Sequence, residues 1–585
     1  MTKIPKTEEL EHMRHSLAHL LAAAVLELYP DAKRAIGPTI ENGFYYDFEF
    51  SSPISEKDLH PIENAMRELL HTWRQFEEVK ETAKSARERY ADNSYKLELV
   101  DEIVSKDEKI TSYKSGEFID LCRGGHVKDA KEIKPDSFKL THLAGAYWRG
   151  DEKNKMLTRI YGLAFPTKKE LDDYLTMMEE AKKRDHRKLG KELDLFTFSE
   201  KVGPGLPLWT SKGTTIKEEL EKFGKETEAQ WGYERVSTPH IAKEELFKTS
   251  GHLPYYKDDL YPGMKLDDAT YYLKAMNCPM TMELFASKPR SYRDLPMRLA
   301  EYGTVYRYEL SGVLSGLLRV RGFTQNDAHI FCREDQVEHE FVEVMNLHEY
   351  YYRDIFGIKD YYIRLSLRDK TKENKFGGND EIWDKAETTI RNAIKKSGVP
   401  FEEVVGEASF YGPKADFQIK SVIGREETAS TNQIDFIMPQ RFGLTYTGED
   451  GKDHPVVVIH RAPLGSHERF IGFLIEHYAG AFPLWLSPVQ IAVLPISDKV
   501  LDYSTRVVAE LKQAGLRVEL NEKSESISKK IREAEMQKIP YLIVIGEKEK
   551  TANVVAVRKR GKGDEGTCTL PELIHRLKQE VEKKS

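Results

Sequence analysis

Cysteine is scarce: Cys122, Cys278, Cys332 and Cys568 are scattered over 585 residues. That spacing excludes a disulfide framework and fits a reducing compartment. No apolar run approaches the ~18 residues a membrane helix needs. The opening MTKIPKTEELEHMRHS has no apolar signal core, so the protein is read as cytoplasmic, with no membrane partner. No internal repeat or low-complexity tract appears, and no G-x-x-x-x-G-K-[ST] loop, so any ATP is bound without a P-loop. A charge excess is missing too. With 89 basic and 96 acidic residues the net charge is -7, and an anionic partner such as RNA needs local basic patches rather than global attraction.

What is present is length. At ~100 to 200 residues per domain, the chain is expected to hold three to five domains. The first 185 residues mix helices and short strands, opening with HSLAHLLAAAVLEL, a helix that puts His15 and His19 on one face at i and i+4. FIDLCRGGHV reads as a short strand running into a Gly-Gly turn with Cys122 and His126 on either side. ELDDYLTMMEEAKKRDHRKLGKELDLF reads as one charged connecting helix ending near Gly190. Residues 195–485 carry β-rich runs (RVSTPHI, AEYGTVYRYEL, GFTQNDAHIF, DYYIRLSL, NQIDFIM, HPVVVIH) that predict a large antiparallel sheet. From about 486 strands and helices alternate as in a small α/β domain, with Gly515 at a helix C-cap.

Two groups of residues carry chemistry. On a strand through GFTQNDAHIFC, side chains alternate, so Gln325, Asp327 and His329 share one face, and Ala328, Ile330 and Cys332 the other. His329 and Cys332 therefore cannot act together. A buried amide, carboxylate and imidazole need partners, and a satisfied hydrogen-bonded trio is as good a reading as a site. Cys278 in MNCPM and His460 in VVVIHRAP would complete a Cys-His-His set with an open position, the pattern of a catalytic zinc. Arg307, Arg319 and Arg469 flank turns and a helix start. Their planar forks suit a triphosphate, while ion pairs with Glu309 and Glu468 are the simpler alternative.

MNCP, YRYELSGVLSGLLRVRGFTQNDAHIF, FYGPK, NQIDF and IHRAPLGSHERF, in this order, resemble the bacterial-type threonyl-tRNA synthetases, a family of class II aminoacyl-tRNA synthetases. The resemblance runs from about residue 10 to the end, so the family's frequent N-terminal ubiquitin-like domain is expected to be absent. It implies an α+β multidomain chain: an α+β editing domain (1–168), the connecting helix (169–194), a class II catalytic domain on an antiparallel sheet (195–485) and an α/β anticodon-binding domain (486–585). It further implies a homodimer through KEELEKFGKETEAQ and RVSTP, acting on ATP with Mg2+, threonine and tRNA(Thr).

By resemblance Arg307 meets the α-phosphate, Glu309 the adenine and Arg469 the γ-phosphate, with Arg319 and Thr428 also at ATP. Cys278, His329 and His460 match zinc ligands, and Met276, Gln325, Asp327, Tyr411 and Gln433 match the threonine pocket. His252 matches a proton acceptor for transfer to tRNA. Valine lacks the hydroxyl that zinc and Asp327 test, and such a mismatch can be rejected by ~10^4 or more, whereas serine lacks only a methyl, worth roughly 10- to 200-fold. A hydrolytic check on serine is thus expected, and His15, His19, Lys96, Asp120, Cys122 and His126 match the family's editing site. Two histidines and a Cys-x-x-x-His alone would favour a second zinc; the resemblance implies a metal-free pocket. Lys538, Glu549 and Arg558 match anticodon contacts, with Ser524 where Asn or Asp is usual, while VRKRGKGDEG reads equally as a solvated basic loop. Thr281 replaces a usual histidine, TQNDAH the commoner TQDDAH, and the Trp-Gln pair near Thr428 is absent. A catalytically silent RNA-binding paralogue and a prolyl-type relative remain as alternatives.

Overall fold

The computed structural model describes residues 7–267, 269–371, 376–420 and 426–584. Residues up to Glu179 form one compact unit and those from Glu180 onward another.

In the first unit the Ala/Leu-rich opening forms helix Thr7–Leu28. Its Leu17, Leu20, Leu21 and Ala24 are fully buried with Phe44, Phe48 and Ile160. Those aromatics come from a five-stranded sheet in which Gly43–Glu49 pairs antiparallel with Met156–Ala164, and that strand with Phe138–Tyr147. A second sheet of three short strands, Glu77–Glu81, Ile110–Ser115 and Phe118–Leu121, ends in the glycine turn. Gly124 and Gly125 have φ of 97° and 85°, the left-handed region in which a side chain is strained. Without that turn Cys122 could not double back toward His126.

The second unit is built on an eight-stranded sheet in the order Glu234–Arg235, Met297–Tyr306, Gly322–Cys332, Val457–Ala462, Glu426–Asp435, Lys414–Lys420, Tyr361–Leu367, Phe401–Val405. The two edge pairings are parallel and all inner ones antiparallel. One face is apolar: Ala328, Ile330, Cys332, Ile434, Ile459, Phe417 and Leu365 bury against Val344, Leu347, Ile390, Phe470 and Leu474. The predicted long strand at RVSTPHI is only Glu234–Arg235, followed by a separate Ile241–Lys243. Pro239 lies between them, and proline cannot donate to a ladder.

The connecting segment also departs from expectation. It is two helices, Lys168–Arg184 and His186–Glu192. Asp185 breaks the run because its carboxylate accepts the Arg187 N–H at 2.8 Å, an N-cap that restarts the helix. From Ile491 onward a five-stranded mixed sheet carries Val518–Leu520, Ile491–Pro495, Tyr541–Ile545, Val555–Lys559 and Gly563–Cys568 in that order. VRKRGKGDEG is therefore mostly a hairpin rather than a loop, since Val555–Lys559 pairs with Gly563–Cys568. Gly515, with φ of 86°, follows helix Leu501–Gln513 as expected.

Candidate functional site

The polar face of the large sheet opens into a cavity of about 460 Å3. Three adjacent strands supply its floor: Gln325, Asp327 and His329 from Gly322–Cys332, His460 from Val457–Ala462, and Thr428 and Gln433 from Glu426–Asp435. Register sets this convergence, because His329 lies directly opposite His460, and His460 opposite Gln433. Met276, Cys278, Arg307, Glu309, Arg319, Tyr411 and Arg469 complete the wall. Cys332 faces away, its thiol donating to the Val457 carbonyl at 3.7 Å within the apolar core.

Donor atoms of Cys278, His329 and His460 lie within 4.8 Å of one another, and all three residues are buried. His460 donates Nε2–H to Asp435 at 2.9 Å, which leaves Nδ1 as a lone-pair donor. His329 Nε2 is buried without a partner among the described residues, an unfavourable state for a polar atom. Burial pushes the Cys278 thiol pKa up and holds His329 neutral. An orphaned imidazole nitrogen, a neighbouring thiol and a second imidazole oriented by a carboxylate form a donor set that fits zinc with a position left open. Burial also raises the Asp327 pKa; Asn277 donates to its Oδ2 at 3.2 Å. Tyr411 donates to Gln433, which in turn donates to Thr431 at 3.1 Å.

Arg307, Arg319 and Arg469 line the same cavity. Arg319 pairs with Glu309 at 2.8 Å, as the simpler reading allowed. Among the described residues Glu468 pairs with no arginine; it accepts the Thr324 N–H at 2.9 Å and faces Lys217 at 3.7 Å. Arg469, in the first turn of helix His467–His477, donates to the carbonyls of Leu318 at 3.1 Å and Thr428 at 3.4 Å. Arg307 donates to the Ala275 carbonyl at 3.3 Å. Thr428 exchanges hydrogen bonds with Gln418. His252 is not part of the cavity wall: it is 1% exposed, bonded to Ser250 at 2.8 Å, with Nε2 3.9 Å from the Cys278 sulfur.

The first unit has its own cavity of about 430 Å3, walled by His15, His19, Tyr46, Lys96, Asp120 and Cys122 among others. The Cys122 sulfur is 3.4 Å from His15 Nε2 and 3.3 Å from His126 Nε2, and the His15 and His126 rings stack at 4.4 Å. Burial raises the Cys122 pKa to about 11 and lowers that of His19 to about 3, so these groups are neutral near pH 7. Asp120 differs. Burial alone would raise its pKa, but Lys96 at 2.9 Å and Arg34 at 3.0 Å overcome that and hold it well below the usual range.

In the last sheet Ser524 and Glu549 follow the C-terminal ends of Val518–Leu520 and Tyr541–Ile545. Lys538 precedes Tyr541, and Arg558 pairs with Leu542 at that opposite edge. The four do not share one edge of the sheet.

Three family models match the chain. The class II tRNA synthetase core domain (G, H, P, S and T) matches residues 263–478, the anticodon binding domain 490–580, and the threonyl and alanyl tRNA synthetase second additional domain 110–161. The threonine–tRNA ligase of Rubrobacter xylanophilus is 50% identical over 98% of this chain and 89% of its own length. The chain belongs to the threonine–tRNA ligases. The family member from Geobacillus is 49% identical over 98% of this chain and 89% of its own length. Among solved structures, the RNA binding domain of threonyl-tRNA synthetase from Cryptosporidium parvum has a TM-score of 0.65 at 36% identity, covering 68% of this chain and 98% of that one. A putative threonyl-tRNA synthetase from Aeropyrum pernix has 0.61 at 32%, covering 68% and 97%.

Four side chains that hold site residues of this ligase in place carry little signal in the sequence. Asp435 and Asn277 orient a metal-capable histidine and the pocket carboxylate, and Arg34 and Tyr46 hold Asp120. Asp435 and Asn277 stand inside NQIDF and MNCP, so polarity within an apolar run was their only signal. Arg34 and Tyr46 are far from Asp120 in sequence and gave none.

Proposed function

We propose that this enzyme activates threonine with ATP, transfers it to tRNA(Thr), and hydrolyses seryl-tRNA(Thr) formed in error. The observation that carries the reading is the single cavity in which the Cys278, His329 and His460 donors and Asp327 share space with Arg307, Arg319 and Arg469. Cys278, His329 and His460 would hold a zinc ion, which when bound supplies Lewis acidity toward the amino and hydroxyl groups of threonine. Asp327, held by Asn277, accepts from the substrate hydroxyl, and Gln325, Met276, Tyr411 and Gln433 close around the amino acid. Arg307 and Arg469, with Arg319, orient the triphosphate with its Mg2+ and stabilise charge as a threonine carboxylate oxygen attacks the α-phosphorus and the bond to the β-phosphate oxygen breaks, giving threonyl-adenylate and releasing pyrophosphate. Glu309 and Thr428 take the adenosine, which requires Glu309 to leave Arg319.

His252 is the proposed proton acceptor in transfer, reached only if the tRNA end opens its buried setting. His15, His19, Lys96, Asp120, Cys122 and His126 form the proposed editing site without metal. Ser524, Lys538, Glu549 and Arg558 are proposed to meet the anticodon loop across two sheet edges. The boundaries at 168, 194 and 485, the homodimer and a cytoplasmic location belong to the same reading. No helix among the described residues is long and apolar enough to cross a membrane.

A silent RNA-binding paralogue would need none of the arginines or metal donors. Zinc-replete protein should exchange pyrophosphate into ATP with threonine and hardly with valine. Absence of threonine-dependent exchange would remove the synthetase reading.

A further inference from the structure

His186 is buried at 2% exposed, outside both cavities, and both of its ring nitrogens are in use. The Leu317 N–H donates to Nε2 at 3.0 Å, so Nε2 is unprotonated and Nδ1–H donates to the Glu476 carboxylate at 2.7 Å. The His186 backbone N–H reaches the same carboxylate oxygen at 3.3 Å. Asp185, His186 and Glu476 have the composition of a metal site. No imidazole lone pair is left for an ion, however, and Asp185 is engaged by Arg187 at 2.6 Å.

Leu317 is the tip of the turn between Arg307 and Arg319. That turn is closed by Leu318 N–H and Arg319 N–H donating to the Ser315 carbonyl at 2.9 and 3.3 Å. The next carbonyl, of Leu318, accepts from Arg469 Nε. Glu476 and Arg469 share helix His467–His477, so His186 ties the arginine-bearing turn to the arginine-bearing helix. Two glycines make room for it. A Cβ on Gly316, whose φ is +49°, would lie 2.2 Å from His186 Nε2, and one on Gly472 would lie 3.2 Å from Leu317 Cβ.

We infer that His186 is a positioning residue for the ATP side of the site, fixing the Ser315–Arg319 turn so that Arg319 and Arg469 present their guanidinium groups together. The inference rests on the proposed role of those arginines at the triphosphate. Small displacements of such groups cost rate steeply, because the reaction depends on positioning rather than covalent chemistry.

The test is threonine-dependent pyrophosphate exchange by the full chain, with KM measured separately for ATP and threonine. His186→Asn keeps a polar group near Glu476 but no acceptor for Leu317; His186→Gln can place an amide oxygen near the Nε2 position. Expected are a rise in KM for ATP of about tenfold or more for His186→Asn, KM for threonine within about twofold, and His186→Gln within about threefold of the parent. Gly316→Ala, which keeps the imidazole but drives it and the turn apart through the 2.2 Å approach of the added Cβ, should reproduce the ATP effect, and the double variant should be no worse than either single. Equal damage from Asn and Gln, a joint rise in both KM values, or an unchanged KM for ATP overturns the inference. Arg469→Ala run alongside separates the two levels. If it too leaves KM for ATP unchanged, the ATP reading has failed and this inference with it; if only His186→Asn is silent, this inference alone has failed.

Discussion

Each proposed zinc donor already stands in the state a metal would exploit or must reverse. The orphaned His329 nitrogen needs no rearrangement, while the buried Cys278 thiol must lose its proton, so binding releases a proton and weakens at low pH. Cys278→Ser and His329→Ala should each bring bound zinc from one equivalent to near zero after dialysis, read by metal analysis. Asp327 is the second proposed discriminating group. Asp327→Asn keeps the shape but removes the acceptor charge, and should reduce the threonine-to-valine ratio of kcat/KM by about 100-fold or more. These residues show what a sequence can disclose at this scale. Strand parity in GFTQNDAHIFC separated His329 from Cys332, whereas the partners of the site residues, Asp435, Asn277 and Arg34, depend on which strands lie side by side, and no local pattern records that.

At the scale of elements, the glycine at the head of helix His467–His477 is a tight joint. Gly465 has φ of +55°, its carbonyl accepts the Asn326 N–H at 3.0 Å, and a Cβ there would lie 2.4 Å from the Ala429 carbonyl. Gly465→Ala must move Arg469 relative to the sheet, and should raise KM for ATP by about tenfold while bound zinc stays at one equivalent. The helix Thr7–Leu28 carries a pH dependence of its own. Burial lowers the His19 pKa from 6.5 to about 3. A base depressed in the folded state favours the unfolded chain once protons are available, so its stability is whole above about pH 6.5 and is lost as the pH falls toward 3, at about 1.4 kcal/mol per unit. Hydrogen exchange of this helix's amides should accelerate over that window, and His19→Gln should flatten the dependence. The antiparallel sheet, the opening helix and the glycine turn were legible because apolar alternation, Ala/Leu content and Gly-Gly punctuation are local. The break at Asp185 was not legible, because the helical pattern continues through it and, although its capping bond to Arg187 is local, the His186 contacts with Glu476 and Leu317 that fix the break are tertiary.

For the whole molecule, the proposed function joins a pocket that tests for a hydroxyl to a second, separate cavity that meets what the first lets through. The first pocket's weakness is physical: a missing methyl is worth too little to reject serine. The two cavities lie in different compact units, so they should fail independently. Cys122→Ala and His15→Ala should leave threonine-dependent exchange within about twofold of the parent, since neither residue touches that cavity. The decisive measurement is serine attachment to tRNA(Thr), followed with labelled serine in the parent chain and in Cys122→Ala with His15→Ala. The account predicts serine-dependent pyrophosphate exchange in both, seryl-tRNA accumulating only in the variant, and rapid loss of preformed seryl-tRNA only in the parent. Equal accumulation and equal hydrolysis in the two would contradict it.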